Sequence, residues 1–345
     1  MNRLLCFTGQ MARFVCLAAG GLCLTSLPAS MAFAQKTIGS IERLEPQLDG
    51  LIAADAKIEV LAKGFTWTKG PVWVGGNDGH LLFSDIPRNS IFKWQQDGTI
   101  SLFMSPSGYT GVTYYGLEPG SNGLLLDQQG RLIMCEHGDR RLSVLTQNGG
   151  KRTLVDNYQG KRLNSPNDAV LKSNGDIYFT DPPYGLPQSA DDPSRELDFC
   201  GVFRLSNDGT VTLLSKAIER PNGIGLSPDE STLYVAQSDP QNANWTAFAV
   251  KADGTLETGK ELLNVTERVG KEPGLPDGMA VDQQGNIWGS GPGGIFVISP
   301  AGQVLGRVVT GERTSNCTFG ADGYLYMTVD ARLCRVKTKT SAVKH

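Results

Sequence analysis

The chain has 345 residues with 32 basic and 35 acidic side chains, a formal charge of −3, 40% hydrophobic residues and 42 glycines. Mild acidity without clusters of Lys and Arg excludes nucleic acid and anionic membrane as expected partners. No long segment carries a helical apolar period, so an α/β fold has little support, and the length suits one large all-β domain.

Residues 1–34 read as a secretory signal. Arg3 and Arg13 supply positive charge, Phe14 to Leu27 is apolar, and Ala32-Phe33-Ala34 fits a small-residue cleavage site. As a membrane anchor the stretch is short and is interrupted by Gly20, Gly21, Thr25 and Ser26. The expectation is a periplasmic or secreted protein with no membrane contact after cleavage. Its formal charge would be −5, from 30 basic and 35 acidic groups. Residues 35–56 form a weakly patterned leader. From Lys57 to Trp67 the alternation of Ile58 and Val60, with Leu61, predicts a strand.

A short tag then recurs, each time close to a turn that precedes an apolar run. The copies are Lys69-Gly70, Asn122-Gly123, Asn167-Asp168, Asn222-Gly223, Asp277-Gly278 and Asn316-Cys317, spaced 53, 45, 55, 55 and 39 residues apart. Apolar runs such as Ala169-Val170-Leu171 and Met279-Ala280-Val281 follow. Then come Gly turns (Ser173-Asn174-Gly175, Gln283-Gln284-Gly285) and second strands (Ile177-Tyr178-Phe179, Asn286-Ile287-Trp288). One multi-stranded unit repeated about six times predicts an all-β, six-bladed β-propeller over residues 57–340.

The last unit supplies only about three strands, so the 57–67 strand is expected to close it and remove an open edge. First strands line the channel of a propeller, which puts one Lys, four Asn and one Asp in a ring at one mouth. Converging side-chain oxygens suit a hard divalent cation. The tail from Lys337 to His345 is expected to fray.

Four cysteines remain after cleavage: Cys135, Cys200, Cys317 and Cys334. Cys317 on a first strand and Cys334 on a third would lie two spacings of ~4.8 Å apart, beyond disulfide reach. Buried free thiols are expected. Of the three histidines, His80 lies in a Gly-rich hairpin turn and His345 is terminal. His137, beside Glu136 after a second strand, reads either as a substrate contact or proton shuttle, or as a structural hydrogen-bonding group. Asp181 poses the same choice and can instead cap the Pro182-Pro183 turn. Asn122 serves equally as a turn residue or a pocket residue.

Thr68-Lys69-Gly70-Pro71-Val72-Trp73, Leu82-Phe83-Ser84-Asp85-Ile86-Pro87, Cys135-Glu136-His137-Gly138, Arg162 to Asp168, Tyr178 to Gly185 and Arg220-Pro221-Asn222-Gly223 resemble the gluconolactonase and regucalcin (senescence marker protein) family. The resemblance runs from about Phe65 to the end of the last blade. It implies a six-bladed propeller that hydrolyses sugar lactones and related esters with one divalent cation (calcium, zinc, magnesium or manganese) in its channel. Its metal ligands fall on positions 69, 222 and 277. Asn167 matches a residue that touches substrate, metal-bound water or the ion itself.

The first ligand is normally Glu, and here it is Lys69, which offers only donors. An ammonium ~4 Å from a divalent ion at an effective dielectric of ~20 repels it by roughly 8 kcal/mol. Three outcomes are open. A weakly held ion remains on Asn222, Asp277 and Asn167; or Lys69 replaces the ion in polarising a carbonyl; or Lys69 acts as base or Schiff-base nucleophile. A fourth option is a non-catalytic ion pair of Lys69 with Asp277.

The expected activity is hydrolysis of a lactone, with Asp277 and Lys69 catalytic and Asn122, His137, Asn167 and Asp181 contacting a lactone or sugar-acid substrate. The alternatives are a Lys-dependent carbonyl or elimination enzyme and a non-catalytic binding propeller. No Gly-x-Ser-x-Gly elbow, phosphate loop or dinucleotide fingerprint is present.

Overall fold

The computed structural model describes residues 36–343; the expected signal segment and His345 lie outside them. Each tag, with the strands that follow it, forms one antiparallel sheet, and six such sheets make the propeller. Blade 1 runs Thr68–Val74, His80–Asp85, Ser90–Trp94 and Ile100–Met104, and blade 2 runs Ser121–Leu126, Leu132–Glu136, Arg141–Leu145 and Lys151–Val155. Blades 3, 4 and 5 open on Ala169–Leu171, Pro221–Leu226 and Met279–Val281. Blade 6 contributes Thr314–Phe319, Tyr324–Val329 and Arg332–Lys337, and Ile58–Lys63 pairs with the last of these as its fourth strand. The chain ends are thus joined through one sheet, as expected from the short final unit.

Apolar side chains pack between neighbouring blades. Leu125, Ile133, Phe179 and Phe203 fill the space between blades 2 and 3, and Trp73, Phe83, Trp94 and Tyr326 that between blades 6 and 1. Each fully buried side chain of this size contributes about 1.5–3 kcal/mol. Period-2 alternation produces this pattern because both faces of each sheet meet a neighbour.

The tags mark where first strands crowd around the channel. Pairing shifts by a bulge between Lys69 and Val72, Ser121 and Leu124, Pro221 and Ile224, and Thr314 and Asn316. A bulge re-aims the side chain beside it. Hydroxyls of one blade then reach the start of the next. Ser84 Oγ donates to Asn122 O (3.0 Å), Thr180 Oγ1 to Asn222 O (2.7 Å) and Ser315 Oγ to Thr68 O (2.6 Å).

This closeness explains the Gly of the tag. Gly70 has φ +47°, and a Cβ there would lie 2.0 Å from Asn122 O. Gly70→Ala is therefore expected to destabilise the fold by about 3 kcal/mol through overpacking and a strained φ. Denaturant midpoints would show it, and an unchanged midpoint would contradict this account of the tag.

Two expectations about the chain ends need correction. The leader is built into the blades: Thr37–Ile38 extends blade 6 beside Ile58 and Glu59, and Ser40–Arg43 extends blade 5 against Gly306 to Val309. Leu48, Leu51 and Ile52 are buried in the blade 5–6 core. The tail is also held. Lys339 N donates to Leu51 O (2.8 Å), Gln283 N to Ser341 O (3.0 Å) and Val343 N to Val281 O (3.1 Å). Val343 thereby joins the apolar residues of the channel opposite the tag mouth. Neither segment has a period, because each is organised by its neighbours and not by a face of its own.

The four cysteines of the described residues are free; Cys135, Cys317 and Cys334 are buried and Cys200 is half-buried. Cys317 and Cys334 flank Met327 on adjacent strands, the two-strand separation that precludes a bridge.

Candidate active site at the tag mouth

A cavity of about 270 Å³ opens at the tag end of the channel, lined among others by Lys69, Glu118, Asn122, Asn167, Asn222 and Asp277. Five of the six tag side chains therefore converge, each delivered by a different blade. The sixth turns away. Asn316 Nδ2 donates to Asp168 Oδ2 (3.2 Å) and its Oδ1 accepts from Cys317 N (2.7 Å), so it faces down the channel.

The centre of the cavity is an ion pair. Lys69 Nζ contacts both Oδ1 and Oδ2 of Asp277, with the two side chains 6% and 16% exposed. The ammonium also lies 5.6 Å from the centre of the Trp67 ring. Burial pushes the Asp277 carboxyl up, and Lys69 opposes that push. Two of the three Nζ–H donors are engaged with the carboxylate, leaving one for a guest.

Asn222 Nδ2 donates to Ser238 Oγ (2.9 Å), while its buried Oδ1 has no partner. Arg220 and Tyr184 complete one wall. Burial pushes the Tyr184 phenol up, so it remains a hydroxyl.

His137 and Asp181 do not line the cavity as expected. His137 is fully buried behind Asn122 and Glu118, its Nε2 3.2 Å from Asn122 Nδ2 and its Nδ1 3.4 Å from Glu118 Oε2. With the proton on Nδ1, the ring faces the Glu118 carboxylate and accepts from the Asn122 amide. It positions both and has no route to a substrate. Asp181 accepts from Asn164 N (2.7 Å) and Ser165 N (2.8 Å) and holds the chain entering the third tag.

Glu118 is a residue that sequence reasoning missed. It lies in the blade 1–2 loop and has no counterpart in the other units, so repetition gave no signal. Burial alone would raise its carboxyl, but the neighbouring His137 imidazole and, to a smaller extent, the Lys69 ammonium bring it below the ordinary value. Arg220 and Tyr184 were within reach, since both stand in the quoted motifs.

Below the ring, Asp168 is buried and pushed up to about 7. Burial drives the rise, against the Ala169 N–H, Lys69 and Asn316. Its folded value exceeds the ~3.9 of an unfolded Asp. The folded state therefore holds the proton more tightly, and stability present below about pH 4 is lost as pH rises to 7. Thermal midpoints are expected to fall between pH 5 and 8. Asp168→Asn should narrow that fall by on the order of 3 °C; an equal fall in both proteins would refute the assignment.

The resemblance implied a divalent cation on Asn222, Asp277 and Asn167. The unpartnered Asn222 Oδ1 is a suitable ligand atom for one. Asp277, however, is the only carboxylate of the three, and both its oxygens are held by Lys69. Among the described residues no group of three or more His, Cys, Asp or Glu side chains is arranged to hold a metal. The donor set, as this chain builds it, does not fit a divalent cation.

The family description "SMP-30/Gluconolactonase/LRE-like region" matches residues 67–331. The chain is 39% identical to a gluconolactonase of Zymomonas mobilis, an alignment covering 96% of this chain and 99% of that one. It is 27% identical to a pentonolactonase of Haloferax volcanii over 73% of this chain and 77% of the relative. A solved gluconolactonase from Xanthomonas campestris superposes with a TM-score of 0.76 at 33% identity, over 88% of this chain and 97% of that one. A solved regucalcin from Agrobacterium tumefaciens, described as a calcium-binding protein, superposes with a TM-score of 0.62 at 16% identity, over 83% of this chain and 97% of that one. With this coverage, and with the six-bladed fold in place, the chain belongs to the SMP-30/gluconolactonase/LRE-like family.

Proposed function

We propose that this protein opens a lactone ring, most simply that of a sugar lactone, by attack of water in the tag-mouth cavity. The observation that carries the reading is the convergence of an ammonium, two carboxylates and three amides from separate blades on one small space. Relatives named for gluconolactone and pentonolactone hydrolysis over most of their length support it.

In this reading the free Nζ–H of Lys69 donates to the lactone carbonyl and strengthens its bond as the oxygen becomes an oxyanion. Asp277 keeps the ammonium in place. The amides of Asn122, Asn167 and Asn222, with Arg220, hold the sugar hydroxyls so that water meets the carbonyl face. A lysine engaged on both oxygens of a carboxylate has no lone pair to add to a carbonyl, which disfavours Schiff-base or elimination chemistry. No divalent cation enters this reading, because Lys69 already holds both oxygens of Asp277.

We further propose that residues 1–34 direct export to the periplasm or medium, on the strength of the charged, apolar and small-residue pattern there. Purified protein is expected to release acid from glucono-δ-lactone and from five-carbon aldonolactones, and to form no borohydride-trapped adduct. No turnover across that panel, with or without added calcium, zinc, magnesium or manganese, would overturn the reading.

A further inference from the structure

We propose that Glu118 is a catalytic residue, the general base for the attacking water. This rests on the lactone-opening reading and adds to it the group that handles the proton. Two carboxylates line the cavity, and Asp277 has both oxygens on Lys69. Glu118 presents one oxygen at 3.4 Å from His137 Nδ1, and its side chain is 30% exposed, toward the cavity. It is the lining carboxylate with oxygens left for a water.

The backbone is arranged to hold it there. The blade 1–2 loop is pinned at its start by Asn89 Oδ1, which accepts from Ser107 N (3.0 Å), Gly108 N (2.8 Å) and Tyr109 N (3.1 Å). Its middle is exposed at Val112, Tyr114 and Leu117. Its end is fixed again beside His137: His137 N donates to Gly120 O and Gly138 N to Pro119 O, both at 3.2 Å. Glu118 therefore stands at an anchored end of an otherwise exposed loop. The segment that carries His137 holds the main chain at Pro119 and Gly120, next to Glu118, and the imidazole lies 3.4 Å from its carboxylate.

In the step itself, the Glu118 carboxylate takes one proton from water while the water oxygen bonds to the lactone carbonyl carbon. The electron pair of that carbonyl moves to its oxygen, beside Lys69. Collapse of the intermediate re-forms the carbonyl and breaks the ring C–O bond. The departing ring oxygen takes the proton from Glu118. The products are a carboxylic acid and a hydroxyl on one open chain, and Glu118 is again a carboxylate.

The test compares Glu118→Gln, Glu118→Ala and the wild type on glucono-δ-lactone, with thermal midpoints measured in parallel. Glu118→Gln retains the shape and the contact with His137 Nδ1, so a midpoint near that of the wild type is expected. Its kcat should fall by about 10²–10⁴ with KM within about threefold. Added formate should restore Glu118→Ala by at least tenfold, since formate supplies the missing carboxylate. Glu118→Gln turning over within threefold of the wild type, or absence of rescue in folded Glu118→Ala, would overturn the assignment while leaving lactone hydrolysis intact. A wild type without any lactonase activity would remove both.

Discussion

Replacing Lys69 with Met is expected to lower kcat on a sugar lactone by about 10²–10³, the usual cost of losing one donor to a developing oxyanion. Lys69 reaches the cavity from the bulge of blade 1, and its Nζ sits on both oxygens of Asp277 with 6% of the side chain exposed. Met has similar length and no charge, so the cavity keeps its shape.

The partner variant separates two roles of the pair. Asp277→Asn leaves a buried ammonium without its counter-charge, a loss of about 3–5 kcal/mol in stability. The double variant Lys69→Met/Asp277→Asn removes both charges and should regain most of that stability while remaining inactive. Steady-state kinetics and denaturant midpoints on the four proteins complete the cycle. A double variant that is both stable and active would mean that the pair only neutralises a buried charge, and the oxyanion role of Lys69 would be lost.

Lys69→Glu is expected to make the tag mouth bind one divalent ion per chain. Glu at position 69 would face Asp277, giving two carboxylates beside Asn222 Oδ1, which already lacks a partner. Without metal the variant should be less stable than the wild type, because two like charges share a buried space. With calcium, zinc, magnesium or manganese at about 100 times the dissociation constant, it should gain about 2.7 kcal/mol. Metal analysis after dialysis and calorimetric titration give the stoichiometry without reference to turnover. Wild-type protein that retains one ion per chain after dialysis, or whose activity disappears with a chelator, would reverse the conclusion that Lys69 excludes the cation.

Much of the site was legible along the chain because the tag repeats. Lys69, Asn122, Asn167, Asn222 and Asp277 stand at equivalent points of successive units, and a closed ring of blades brings equivalent points to one mouth. The departures have local causes. Asn316 follows a bulge one residue earlier in register than its counterparts and is taken by Asp168 and Cys317. Of the two roles open to His137, substrate contact or structural group, the fold favours the structural one, because the loop carrying Glu118 folds over it and leaves it 0% exposed. Asp181 lies on a second strand, one layer away from the channel, and spends its oxygens on backbone N–H groups.

What the amino-acid order by itself determined is the repeating unit, its number of copies, the need for an early strand to complete the last sheet, and the types of side chain offered to the channel mouth. These follow from alternation, turn residues and spacing, which act within some tens of residues. Only the tertiary structure decided that Lys69 and Asp277, 208 positions apart, neutralise each other. The same holds for Glu118 entering from a loop, and for the leader and tail becoming parts of blades. Each depends on which distant groups share a low-dielectric space, and no local period encodes that.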